Sequence, residues 1–356
     1  MIKSRRIVPI LLTLLALGGC MSVEQVSIDC LQPAEVSFPP ELRRVGVVNN
    51  VPPQSTLRPE LEHPQGPRRP TDPIYFNGNA RVATEALARA LAEADYFDEV
   101  VICDSALRSG DTALRTTTLS RGEVGKLAQL LDVDVIVSLD NLPMKRTEHV
   151  DFDEFEGEDM GTIDLTVYPV VRVYLPGRGA PMATIATSDS IYWEATGRSR
   201  DQVRHRLVDL AELTRQGSDF AGTVPLRKLL PRWQTVERSL FDGGSAAMRD
   251  AAVHVRRGQW DRAMDLWKQA YRDKKGRKSR MRTAFNLALG YEMQDSIDLA
   301  LSWIGHADSL ATAVYGAEGR RDVTPAGVIG HYRRELEGRR AGYYLLDEQM
   351  RRFEGE

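Results

Sequence analysis

The chain has 356 residues, 47 basic and 50 acidic, a formal charge of −3 and three cysteines. The near-balance of charge gives no global signature of nucleic-acid binding, and the length suffices for two domains with their own cores. Cys20, Cys30 and Cys103 lack any metal-type spacing.

Lys3, Arg5 and Arg6 precede an apolar segment from Ile7 to Leu17, the charged start and short hydrophobic stretch of a secretory signal. The segment falls well short of the roughly 20 apolar residues that a spanning helix needs. Leu17-Gly18-Gly19-Cys20 resembles the bacterial lipobox. That resemblance implies a lipoprotein signal peptide over 1–19 and a diacylated Cys20 as the new N-terminus. Acyl chains at about 0.8 kcal/mol per buried methylene hold a chain on a membrane without a spanning helix. By the sorting rules of such lipoproteins, Met21 is not the aspartate that retains them in the inner membrane. Ser22 to Gln25 also lacks the acidic run linked to surface export. The expectation is a cell-envelope protein on the outer membrane, on its periplasmic face rather than its surface. Without residues 1–19 the chain keeps 44 basic and 50 acidic residues, a net of −6.

Residues 20–42 read as an anchor segment and lead-in strand. RRVGVVNN, from Arg43, is a continuous apolar run expected of a strand covered on both faces. The proline-rich connection from Val51 to Pro73 reads as extended chain. NARVATEALARALAEADYF has helical spacing, with Asn77 or Asn79 as N-cap. EVVICD reads as a strand, SRGEVGKLAQLLD as a helix with a capping box of Ser120 and Glu123, and VDVIVSLDNL as a strand. Alternating strand and helix implies parallel pairing through right-handed crossovers. From 161 to 196, Ile163, Leu165, Val167, Val171 and Val173 share one parity and Asp164, Thr166 and Arg172 the other. The expectation there is two long antiparallel strands with one wet face. The fold class expected over 43–197 is therefore an α/β domain with a mixed sheet and a long antiparallel hairpin. Cys30 and Cys103 sit in apolar strand-like runs, where a thiol packs as a small hydrophobe; a disulfide between them is the alternative.

Residues 198–356 read as an all-α domain. Arg198 to Gln216 has the pattern of one amphipathic helix, and LRKLLPRWQTVERSLF that of a helix interrupted at Pro231. Two units over about 245–310 align at an offset of 37 residues, bringing Ala263 onto Ala300 and Ala270 onto Ala307. Ala251, Gly258, Trp260, Asp261, Leu266 and Trp267 in the first, and Leu287, Ala288, Tyr291 and Asp298 in the second, resemble tetratricopeptide repeats. His254 stands where the usual aromatic would, Asp295 replaces the turn glycine, and the closing proline is absent. Two such repeats rarely close a core alone, so helices near 201–240 and 325–353 are expected to cap them. The resemblance implies a partner groove at Met248, Ala252, Val255, Arg256, Arg282, Phe285, Leu289, Glu292 and Met293, suited to a peptide or helix of a protein partner. The alternative is that caps or the first domain fill it.

The lipobox, IDCLQPAEVSFPPELRRVGVVNN, ALARALAEADYFDEVVICD and GQWDRAMDLWKQAY together resemble an uncharacterised family of Bacteroidetes lipoproteins. The α/β part is more loosely similar to the N-terminal domain of the translocation protein TolB and to the periplasmic domain of the curli secretion lipoprotein. Both imply envelope assembly rather than catalysis, and neither carries over catalytic residues.

Zinc, nucleophile-elbow, phosphate-loop and dinucleotide motifs are absent, so no cofactor, metal or catalytic residue is assigned. EHVDFDEFEGED at 148–159 reads as a solvated acidic loop before the hairpin, and RDKKGRKSRMR at 272–282 as a charged inter-repeat loop. Asn49, Asn50, Asn77 and Gly78 flank the proline-rich connection, at the strand edge where α/β sheets bind ligands. The leading expectation is a non-enzymatic, lipid-anchored interaction or assembly adaptor. The alternatives are an oligomeric pore component, with the 161–196 hairpin forming a barrel, and an envelope glycan hydrolase.

Overall fold

The computed structural model describes residues 23–52, 72–103, 105–110, 118–273, 275–316 and 324–353. The leader, Cys20 and most of the proline-rich connection lie outside the described residues. In chain order the elements are β1 (Val23–Gln32), β2 (Arg44–Asn49), β3 (Ile74–Asn77), α1 (Ala80–Glu93), β4 (Glu99–Ile102), α2 (Arg121–Leu131), β5 (Val135–Asn141), β6 (Pro143–Asp153) and β7 (Glu158–Val167). There follow β8 (Val170–Tyr174), β9 (Ala183–Ala186), β10 (Asp189–Gly197), α3 (Arg200–Arg206), α4 (Leu210–Thr223), α5 (Leu226–Leu229) and β11 (Arg232–Phe241). The last are α6 (Ala246–Arg256), α7 (Trp260–Asp273), α8 (Arg277–Met293), α9 (Ile297–Tyr315) and α10 (Pro325–Met350). Sheets thus occupy 23–241 and helices 246–353. The chain divides into two compact units, residues 34–232 with 348–356, and residues 1–33 with 233–347.

The α/β unit holds a five-stranded sheet in the order β4-β2-β5-β8-β9 and a four-stranded one in the order β10-β7-β6-β3. β2 pairs in parallel with β4 and β5, as the alternating pattern predicts. The apolar run of β2 is covered on both faces. Val45 and Val47 enter one core with Leu87 and Leu91 of α1, while Val48 joins Val124, Leu127 and Ile136 in a second core under α2. Asn79 caps α1, accepting from the N–H groups of Arg81 and Val82, and Ser120 and Glu123 close the capping box of α2. The last residues of the chain are stitched into the same unit. The Gln349 amide exchanges hydrogen bonds with both backbone groups of Ala34 at 2.9 and 3.0 Å, and Arg352 stacks 4.0 Å over the Tyr96 ring.

The sequence pattern from 161 to 196 resolves into four strands, not two. β7 and β10 pair in the four-stranded sheet, whereas β8 and β9 pair in the five-stranded sheet. Ile163, Leu165 and Val167 are buried with Val171 and Val173 in one core, so parity is right although the sheets differ. The acidic stretch is the tip of the β6–β7 hairpin rather than a loop before it, with Phe152 opposite Asp159. The expected helix over 198–216 breaks at Leu207 into α3 and α4, each with its own cap from Ser199 and Asp209. With α5, these helices belong to the α/β unit, not to a cap on the helical repeats.

Helices α1 and α4 cross closely because position 222 has no side chain. A Cβ there would meet the Ala83 carbonyl oxygen at 2.3 Å and the Ala86 Cβ at 2.7 Å. Since the obstacle includes backbone, Gly222→Ala is expected to destabilise the α/β unit by about 1–3 kcal/mol. A lower denaturation midpoint with an unchanged slope checks this.

The helical unit packs α6, α7, α8 and α9 in successive pairs. α8 is its centre, with every residue from Thr283 to Gly290 buried, as expected of a helix packed on all sides. β11 replaces the helix expected after Pro231 and pairs with β1. Ser27 donates to Glu237 and Thr235 donates to Asp29, both at 2.6 Å, which sets the two strands antiparallel. Ile28, Cys30, Leu240 and Phe241 of this ribbon enter the helical core beside Met248, Phe285 and Leu289. Cys30 and Cys103 are both free thiols.

Candidate functional site

The residues expected to line an open partner groove form the floor under the β1–β11 ribbon instead. Met248, Ala252, Val255, Phe285, Leu289 and Glu292 are all buried, and Met293 and Arg282 are half-buried. Only Arg256 is exposed, and it grips Glu24 of β1, its Nε donating at 2.7 Å. The face that repeat spacing assigns to a partner is occupied by a strand pair of the same unit. The reason is energetic: a face carrying Met248, Phe285 and Leu289 is stabilised by about 1.5–3 kcal/mol for each such side chain taken from water.

Beneath the ribbon lies a charged cluster that sequence reasoning missed. Glu292 is buried, and four donors converge on it. Arg238 Nε and Nη2 reach its two oxygens at 3.0 Å each, the Tyr332 hydroxyl donates at 2.6 Å and Arg339 Nη1 at 2.9 Å. Arg238 also meets Glu335 at 3.3 Å, and Arg339 meets Asp295 at 3.2 Å. Burial pushes the Glu292 carboxyl upward, but the Arg238 hydrogen bonds and charge outweigh it, helped by Tyr332 and Arg339, and hold it below its ordinary 4.5. Tyr332 is pushed well above 10.0 by burial first and the Glu292 charge second. Glu292 is therefore an ionised carboxylate with both oxygens doubly engaged, a fastening rather than a base. Of this cluster only the glutamate was visible in the sequence, as a groove position; Arg238 sat in a segment with a helical pattern.

The cluster forms one wall of a cleft of about 580 Å³, lined also by Gln25, Glu237, Phe285, His331 and Arg334. Glu237 accepts from Ser27, and Glu335 is paired with Arg238. A second cleft of about 330 Å³ lies between the start of α9 and the later part of α10, lined by Asp298, Leu299, Arg340, Tyr343 and Tyr344. Among the described residues no group of three His, Cys, Asp or Glu is arranged to hold a metal, and no helix is long and apolar enough to cross a membrane.

The residues expected to form a ligand edge are divided between the two sheets of the α/β unit. Asn49 and Asn50 close β2 in the five-stranded sheet, while Asn77 and Gly78 close β3 in the four-stranded sheet. The first amides of α1 are taken by Asn79, and a Cβ at Gly78 would meet Met144 Cε at 2.3 Å, so the glycine serves packing. Asn50 instead joins a buried polar network. Its amide donates to Asp140 at 2.9 Å and accepts from Arg108 at 2.8 Å, while Ser138 and Arg172 also donate to Asp140. Burial raises the Asp140 carboxyl, against the pull of Ser138, Asn50 and Arg172. The network ties β2, β5 and β8 together. Its sequence signal is the polar pair Ser138 and Asp140 inside an apolar strand, whose side chains must find partners.

Two family profiles match the chain. One, described as a domain of unknown function (DUF8603), covers residues 42–241, and another, also described as a domain of unknown function (DUF6340), covers residues 249–338. A comparison with curated proteins found no match. Because the first profile spans more than half of the sequence, the chain belongs to the DUF8603 family.

Proposed function

We propose that the chain is a lipid-anchored cell-envelope protein, held through Cys20 on the periplasmic face of the outer membrane, that serves without catalysis as an interaction or assembly adaptor. The observation that carries this reading is the position of β1. Only Met21 and Ser22 separate the lipobox cysteine from Val23, the first residue of a strand built into the helical unit. A folded body on so short a leash is suited to a fixed station on a membrane.

The tetratricopeptide-like reading of residues 245–310 has geometric support. Gly258 and Asp295, 37 residues apart, both turn the chain in the left-handed region at φ 70° and 53°, so the aspartate does the work of the family's turn glycine. Ala251 and Ala288, and Ala263 and Ala300, are each fully buried at equivalent helix crossings. With the ribbon seated on one face, partner binding falls to what remains open. Leu299, Tyr343 and Tyr344 are 50, 45 and 81% exposed around the second cleft, and exposed tyrosines suit protein contacts. The barrel alternative has less support, because the apolar face of β7 is packed in the α/β core.

Crosslinking in intact envelopes tests the adaptor reading. The native chain is expected to yield discrete adducts that Tyr344→Glu loses, without loss of folding because the residue is exposed. Identical adducts from both chains would contradict it.

A further inference from the structure

The register of the ribbon places Val23 opposite Phe241. Phe241 is fixed to α8 by two bonds with Asn286, its N–H donating at 3.0 Å and its carbonyl accepting at 2.7 Å. Arg238, farther back along β11, meets Glu292 near the C-terminal end of α8. β1 therefore runs along α8 toward that end, and its first residue lies level with Asn286, about midway along the helix. Cys20 lies within about 10 Å of Val23 by chain length alone. The first turn of α8 lies about seven residues of helical rise, roughly 10 Å, from Asn286, a distance comparable to that reach.

That turn is strongly basic. Lys275, Arg277, Lys278, Arg280 and Arg282 fall within a short stretch in which Asp273 is the one nearby acid. Lys275, Arg277 and Lys278 are exposed, and none of the five forms an ion pair among the described residues. Lys278 and Arg280 rest on aromatic rings, 5.7 Å from the Tyr315 centroid and 4.5 Å from that of Tyr271. The helix also begins without a side-chain cap, which leaves its amide charge uncompensated. We propose that this turn lies against the anionic phospholipid headgroups of the membrane that receives the Cys20 acyl chains, giving the tether a second, electrostatic contact. The proposal rests on the anchor reading. It follows from the short leash and from the match of unpaired cations to a negative surface within a Debye length.

The mature, full-length, acylated chain tests it in vesicles of phosphatidylcholine alone or of equal phosphatidylcholine and phosphatidylglycerol. Amide exchange over 275–282 is expected to slow about tenfold on the anionic vesicles, and the slowing is expected to vanish at 1 M salt. In the Arg277→Glu/Lys278→Glu chain, whose changed residues are exposed, exchange is expected to be the same on both vesicles. Equal exchange of the acylated native chain on both vesicles would overturn the docking while leaving the anchor intact. A mass spectrum showing Cys20 unacylated would overturn the anchor and the docking with it.

Discussion

Glu292→Gln is expected to cost the helical unit about 3–5 kcal/mol, because it removes the charge that buried Arg238 and half-buried Arg339 share. The replacement keeps the shape of the side chain, so the loss isolates charge rather than packing. The same carboxylate sets an acid dependence. Its pKa in the folded chain lies below the ordinary 4.5, so its contribution is complete above 4.5 and is lost as pH falls through the folded value. Denaturation of both chains from pH 7 downward should show a difference that is largest near neutrality and shrinks below 4.5. A constant difference at all pH values would mean that the cluster holds through shape alone.

The second large effect is at Phe285, which is 1% exposed and packs its ring 5.0 Å from that of Phe241 and 5.1 Å from that of Tyr332. Phe285→Ala is expected to cost about 3–5 kcal/mol through lost burial and the cavity left behind. Phe285→Glu would place an unpaired carboxylate in that core and is expected to unfold the helical unit. Circular dichroism at equilibrium distinguishes this from an interface role. A soluble, native-like Phe285→Glu chain would mean that the ribbon does not cover α8 in solution.

Much of the α/β unit was legible. Parallel strands covered on both faces leave unbroken apolar runs, and helices α1 and α2 announce themselves through Asn79, Ser120 and Glu123. The switch from β7 to β8 was hidden because alternation continues unbroken across Tyr168 and Pro169 while the chain changes sheets. The β1–β11 ribbon was hidden for a different reason. Its buried residues in β11 cluster at Arg238, Leu240 and Phe241, while the run from Arg232 to Thr235 is exposed throughout, so no sustained two-residue period marks it as a strand. Its partner lies some two hundred residues away in sequence, beyond the reach of any local pattern. The buried face of the repeats followed from this. Sequence spacing names the residues that look inward along α6 and α8, and it does not name what covers them.

Metabolic labelling with a fatty-acid analogue tests most directly whether Cys20 tethers this body to a membrane. The native chain is predicted to take up label, and the Cys20→Ala chain to remain unlabelled and leave the membrane fraction. Equal labelling of the two chains, or none in either, would contradict the account.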